Sequence, residues 1–215
     1  MTKLLQTNIP AKWHDEFIKH KNLILISFVF LAISLILDYL AGNYVSDVTA
    51  SAVSDIIIDN TTPINLSFIF VYVYATTILL MFLYPLFKQI NKFHVVISQF
   101  SLLILIRSFF ISLTHLKIPS DAIIIKLPLI FNILFFQNDL FFSGHTAIPF
   151  LGFLLFRKEK IGIVFFIISI IMAITVLLMH IHYSIDVFAA FFITYATYHL
   201  GGWLFEKINK ITFYR

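Results

Sequence analysis

The sequence predicts an all-α, polytopic membrane protein with six transmembrane helices and both termini cytoplasmic. Three observations carry that expectation. Apolar residues make up 60% of the 215-residue chain and charged residues 12%, against about a quarter charged in a typical soluble domain. Mean hydropathy is +0.95, more apolar surface than a water-soluble fold of this size hides. The Lys and Arg residues fall in short segments between apolar runs, with twelve of the 15 on one side of a six-span layout. Excess basic charge marks the cytoplasmic side. The same placement accounts for the net charge of +4, so no nucleic-acid partner is called for. The absence of cysteine excludes disulfides and thiolate metal sites.

Residues 1–22 read as an interfacial arm, with Trp13, Phe17 and Ile18 among Lys12, Lys19 and Lys21. Such a mixture suits a short amphipathic helix on the membrane surface and lacks the early apolar run of a cleavable signal peptide. The first span, residues 23–40, is therefore expected to be a retained signal anchor. Residues 41–65 form a polar connection with Asp47, Asp55 and Asp59. The second span is placed at 66–87 and the third at 94–114, joined by a basic turn at 88–93. Residues 115–141 are apolar in part but broken by Lys126 and Pro128, and read as an interfacial or re-entrant piece. The fourth span, 142–156, rises only about 22 Å as helix, too little to cross ~30 Å of hydrocarbon. Its Ser-Gly-His start is therefore expected to lie sunk in a cavity. The fifth span covers 161–180 and the sixth 184–205. Together 23–206 form the predicted six-helix domain, and 207–215 a basic cytoplasmic tail.

Two short stretches stand out in these apolar surroundings. Ser143-Gly144-His145 opens the fourth span and His182-Tyr183-Ser184-Ile185-Asp186 opens the sixth. The predicted topology puts both on the non-cytoplasmic side, and ionisable groups at membrane depth are costly and usually functional. His182 and Asp186 are four apart, hence on one helix face. A carboxylate there orients the ring and leaves Nε2 as nucleophile or base. Attack on phosphorus by His182 gives a phosphohistidine, and His145 is placed to protonate the departing alkoxide. Ser143 and Gly144 start a helix whose free N–H groups attract phosphate oxygens. Arg107, two turns below the end of the third span, is expected either to bind phosphate or to pair with Asp139 or Asp38. Asp139 reads as site or loop, and His180 as a helix-end residue.

At these residues the sequence resembles the sphingomyelin synthase family, a branch of the type 2 phosphatidic acid phosphatase superfamily. Asp139-Leu-Phe-Phe-Ser143-Gly144-His145-Thr146 is similar to the family block C-G-D-x-x-F-S-G-H-T, with Gln137-Asn138 where Cys-Gly is usual. His182-Tyr183-Ser184-Ile185-Asp186-Val187 is similar to H-Y-[ST]-x-D-V. Arg107, Thr114, Leu116 and Pro119 follow the spacing of a third block, from which Phe110, Ile111 and Lys117 depart. The resemblance implies His182 as nucleophile, Asp186 as its partner and His145 as acid/base. Tyr183 comes within the block and is taken, with Arg107, Ser143, Gly144 and Asp139, as substrate-binding. It implies transfer of a phospho-headgroup from a membrane phospholipid donor to a lipid alcohol acceptor such as ceramide, at the non-cytosolic leaflet and without metal or cofactor. Where the broader phosphatase superfamily has Ser-Arg ahead of the second histidine, this chain has Thr175-Val176. Two other readings stay open: hydrolysis with water as acceptor at the same residues, and non-enzymatic lipid binding or transport.

Overall fold

The computed structural model describes residues 9–48, 51–125 and 140–209. Six helices account for most of them, and no strand occurs among the described residues. They are α1 (Ile9–Val48), α2 (Tyr74–Lys88), α3 (Ile90–Leu113), α4 (Gly144–Phe156), α5 (Lys160–Leu178) and α6 (Ser184–Asn209). α2 is entered through a π-helical turn, Ile69–Val73. Four segments are long and apolar enough to cross a membrane: Trp13–Val48, Ile69–Lys88, Ile90–Leu113 and Lys160–Leu178. α4, at 13 residues, is short as expected. The expected re-entrant piece falls largely on 126–139 and, like Asp139 and residues 210–215 of the tail, lies outside the described residues.

The arm and first span form one 40-residue helix, where a separate surface helix followed by a span was expected. The chain gives the reason. Pro10 sits in the first turn, where its missing N–H costs nothing, and no glycine or proline follows until Gly42. Trp13 is drawn towards the bundle instead, its indole N–H donating to the Leu86 carbonyl at 2.8 Å.

α3 is the central post. Its buried residues run along almost its whole length, from Ile90 to Ile111, with α1 packed along one side and α2, α4 and α6 meeting the others. Met81, Leu103, Phe142, Leu151 and Phe165 fill the main core. Close helix contacts rest on small residues. A Cβ on Gly152 would lie 2.5 Å from the Phe165 ring, and one on Gly201 would lie 2.4 Å from Gln99 Oε1.

At the end of the bundle carrying the starts of α4 and α6, the connections lock together. Lys117 N–H donates to Ser51 O at 3.1 Å, Ile64 N–H to Leu178 O at 2.7 Å, and Ile123 N–H to Met179 O at 2.9 Å. α5 ends in a Schellman motif, with Ile181 N–H on Val176 O and His180 N–H on Leu177 O. His180 takes the left-handed position (φ 55°) that glycine usually fills. It is held there by Asp121 Oδ2 at 2.9 Å on Nδ1 and Thr61 Oγ1 at 3.1 Å on Nε2. The helix-end role expected of His180 is the one it has.

Candidate active site

α6 starts at Ser184 because a carboxylate from the first connection caps it. Asp55 Oδ2 accepts from both the Ser184 N–H and its hydroxyl, each at 2.7 Å, and Oδ1 accepts from Ile57 N–H and Ile58 N–H. Burial works against the Asp55 charge, but the Ser184 side-chain and backbone hydrogen bonds, with those from Ile58 and Ile57, outweigh it. The carboxyl is held below its ordinary 3.8. This cap fixes the first turn of α6 and with it Asp186.

Asp186 is fully buried and His182 nearly so. Asp186 Oδ2 lies 3.2 Å from His182 Nδ1 and accepts the Tyr183 N–H at 3.0 Å. A carboxylate on Nδ1 sets the tautomer and leaves Nε2 as the reactive nitrogen. Among the described residues no hydrogen bond reaches that nitrogen. The second motif is tied to the first through backbone: Ser143 N–H donates to the Asp186 carbonyl at 3.1 Å. Residues 43 apart in sequence are thus pinned together, and α4 begins beside the first turn of α6.

From that start His145 faces His182, with ring centroids 6.4 Å apart. Its ring also packs on Phe70 at 4.0 Å and Tyr74 at 4.1 Å. The π-helical turn carries Phe70 and leads directly into Tyr74, and such turns recur at functional sites. Just upstream, Phe141 has φ 122°, a strained value for a bulky residue. It stacks on Phe110 at 5.2 Å. Gly144 has a steric reason to be glycine, since a Cβ there would lie 3.2 Å from Arg107 Nε.

Arg107 therefore borders the start of α4 and pairs with Asp38 at 3.4 Å. Of the roles read from the sequence, the pairing with Asp38 is the one observed. Arg107, Asp38, Tyr74, Gly144 and His145 line one cavity of about 130 Å³ together with apolar residues of α1 to α4. His182 lies beyond His145, outside that lining. The Tyr183 hydroxyl is engaged elsewhere, donating to Lys117 O at 2.8 Å and accepting from Val53 N–H at 3.1 Å. Burial pushes this phenol's pKa up. Tyr183 thus stitches two connections over the site. Phe70, Tyr74 and Asp55 were not singled out as site residues in the sequence. Nothing short of the tertiary arrangement marks them, although the aromatic run of the second span contains two of the three.

Residues 138–202 match the family model described as PAP2 superfamily C-terminal. That match supports the type 2 phosphatidic acid phosphatase superfamily. It covers both histidine motifs and Asp186 but under a third of the chain. No curated protein and no solved structure matches the sequence. The PAP2 superfamily match suggests a lipid phosphatase or phosphotransferase type of function, on lipid phosphate substrates, which agrees with a cavity set among apolar helices.

Proposed function

We propose that this protein is an integral membrane phosphotransferase of the sphingomyelin synthase kind, moving a phospho-headgroup from a glycerophospholipid to a lipid alcohol such as ceramide. The observation that carries the reading is the pairing of an Asp-backed imidazole, His182, with a second imidazole, His145, 6.4 Å away. A near-attack distance of about 3 Å followed by a hydrogen bond of about 3 Å spans a comparable length. One phosphorus and its leaving oxygen fit such an arrangement.

In the first half-reaction His182 Nε2 attacks phosphorus and the bond to the glycerol oxygen breaks. His145 gives its proton to that oxygen, and diacylglycerol leaves. Asp186 holds the Nδ1 proton and stabilises the positive charge on the ring. In the second half, the acceptor hydroxyl yields its proton to His145 and attacks phosphorus, and the N–P bond breaks. Arg107 and the N-terminus of α4 hold the non-bridging oxygens. Tyr183 fixes the connection that carries His182. Both termini are assigned to the cytoplasm and the site to the opposite face, following the Lys/Arg asymmetry.

The superfamily match favours one alternative, in which water replaces the lipid alcohol and the protein is a hydrolase. Purified protein given headgroup-labelled phosphatidylcholine separates the two. Label passing to ceramide supports transfer, whereas free phosphocholine formed regardless of ceramide supports hydrolysis. An acid-labile phosphoprotein is expected in the wild type and not in His182→Ala. Full turnover by His182→Ala would overturn both readings.

A further inference from the structure

Building on the headgroup-transfer reading, we infer that Asp38 is a specificity-determining residue. By pairing with Arg107 it leaves the cavity too weakly positive for a phosphomonoester dianion, and so selects the monoanionic phosphodiester of a phospholipid headgroup.

Asp38 is a carboxylate on an otherwise apolar stretch of α1, and it is 8% exposed. A charge so placed is costly unless paired and hydrogen-bonded. It has both supports. Arg107 Nη1 lies 3.4 Å from Oδ1, and the Ser108 hydroxyl is 3.0 Å from the same oxygen. The other edge of the guanidinium borders Gly144, where the catalytic helix begins. The guanidinium therefore stands between a fixed carboxylate and the place where phosphate oxygens must come.

The charges around that place decide what it accepts. Among the described residues lining the cavity, Asp38 is the carboxylate, set against Arg107 and against His145, which carries its proton when the donor binds. Beyond His145 the His182–Asp186 pair contributes a further buried carboxylate. A phosphomonoester carries about −2 above a second pKa of ~6, whereas a phosphodiester carries a single charge. Asp38 repels each unit of substrate charge, so the monoester meets the penalty twice. For charges several ångströms apart near protein, the extra unit is worth on the order of tenfold in affinity. A purely structural Asp38 would instead affect both substrate classes alike.

The test compares kcat/KM for phosphatidylcholine, a diester, with that for phosphatidic acid, a monoester, at about pH 7.5, where the monoester is a dianion. It uses the full-length protein as wild type, Asp38→Asn and Ser108→Ala. Asp38→Asn keeps the shape and removes the charge, and should raise the phosphatidic acid to phosphatidylcholine ratio on the order of tenfold. Ser108→Ala weakens the support of the carboxylate without changing charge, and should leave the ratio within about twofold. A ratio unmoved by Asp38→Asn overturns the inference. Should that variant fail to fold, wild-type inhibition decides instead. Dimethyl phosphate should inhibit at least as well as methyl phosphate, and tighter binding of the methyl phosphate dianion overturns the role given to Asp38. Wild-type turnover of phosphatidic acid with none of phosphatidylcholine would sink the headgroup-transfer reading itself, a separate outcome.

Discussion

Two histidine–carboxylate pairs lie two residues apart at the same end of this molecule, and they differ in what their second nitrogen meets. His182, just ahead of α6, has Asp186 on Nδ1 at 3.2 Å, from the first turn of that helix, with both groups buried. His180 has Asp121 on Nδ1 at 2.9 Å, from a distant connection, with the Asp half-exposed. The Nε2 of His180 is spent on Thr61, which closes a clasp between connections. The Nε2 of His182 carries no hydrogen bond among the described residues, and His145 stands opposite. A backed imidazole is therefore not a site in itself; on the proposed function, the second ring and what Nε2 meets separate reagent from clasp.

The comparison breaks most directly at the two rings. His182→Ala should lower headgroup release by about 10⁴-fold or more, because the nucleophile itself is lost. His180→Ala should stay within about tenfold of wild type while lowering the thermal midpoint, since a clasp rather than a reagent is removed. Equal losses in the two variants would erase the distinction. Next come the acids. Asp186→Asn should reduce kcat about 10³- to 10⁴-fold by disturbing the tautomer, and Asp121→Asn should not, in a side-by-side steady-state assay. A smaller effect is expected of Gly144→Ala. Its Cβ would press on Arg107 Nε at 3.2 Å and displace the guanidinium, raising KM about tenfold with the fold intact by circular dichroism.

The smallest effect is on stability against pH. The folded Asp55 carboxyl lies below its ordinary 3.8, so its contribution is complete above that value. It is lost as pH falls through the lower, folded value. Melting curves in detergent should show wild type above Asp55→Asn near neutrality and the two converging below about pH 4. An Asp55→Asn gap that persists unchanged into that range would show that charge on Asp55 is not what caps α6.

Much of this was legible from sequence because it is local. Six apolar runs gave six helices, and the starts of α4 and α6 fell on the Ser143 and Ser184 motifs, within two residues of expectation. The His182–Asp186 contact was expected from helical spacing, but α6 begins at Ser184, so Asp186 reaches back from the first turn to a residue just ahead of the helix. What stayed hidden depends on how helices are rotated against one another. Phe70 and Tyr74 come to His145 from a helix whose aromatic residues look alike in sequence. Tyr72, beside them, is instead exposed. Asp55 caps Ser184 across 129 residues, and no periodicity announces such a partner. Arg107 had two plausible carboxylates, and only the packing of α1 on α3 brings Asp38 to it. The boundary of the arm was missed for another reason, since a change of composition at residue 22 is not a change of backbone.

The brevity of α4 carries a last consequence. Thirteen helical residues rise about 20 Å, some 10 Å less than the hydrocarbon of an ordinary bilayer. A lipid ester drawn to its first turn has to sink from the headgroup zone, or the surrounding leaflet has to thin around it. Either way, hydrophobic mismatch enters the work of reaching the histidines. On the proposed function, acyl-chain length of the host membrane then becomes a control on turnover, acting on the whole assembly rather than on any one side chain.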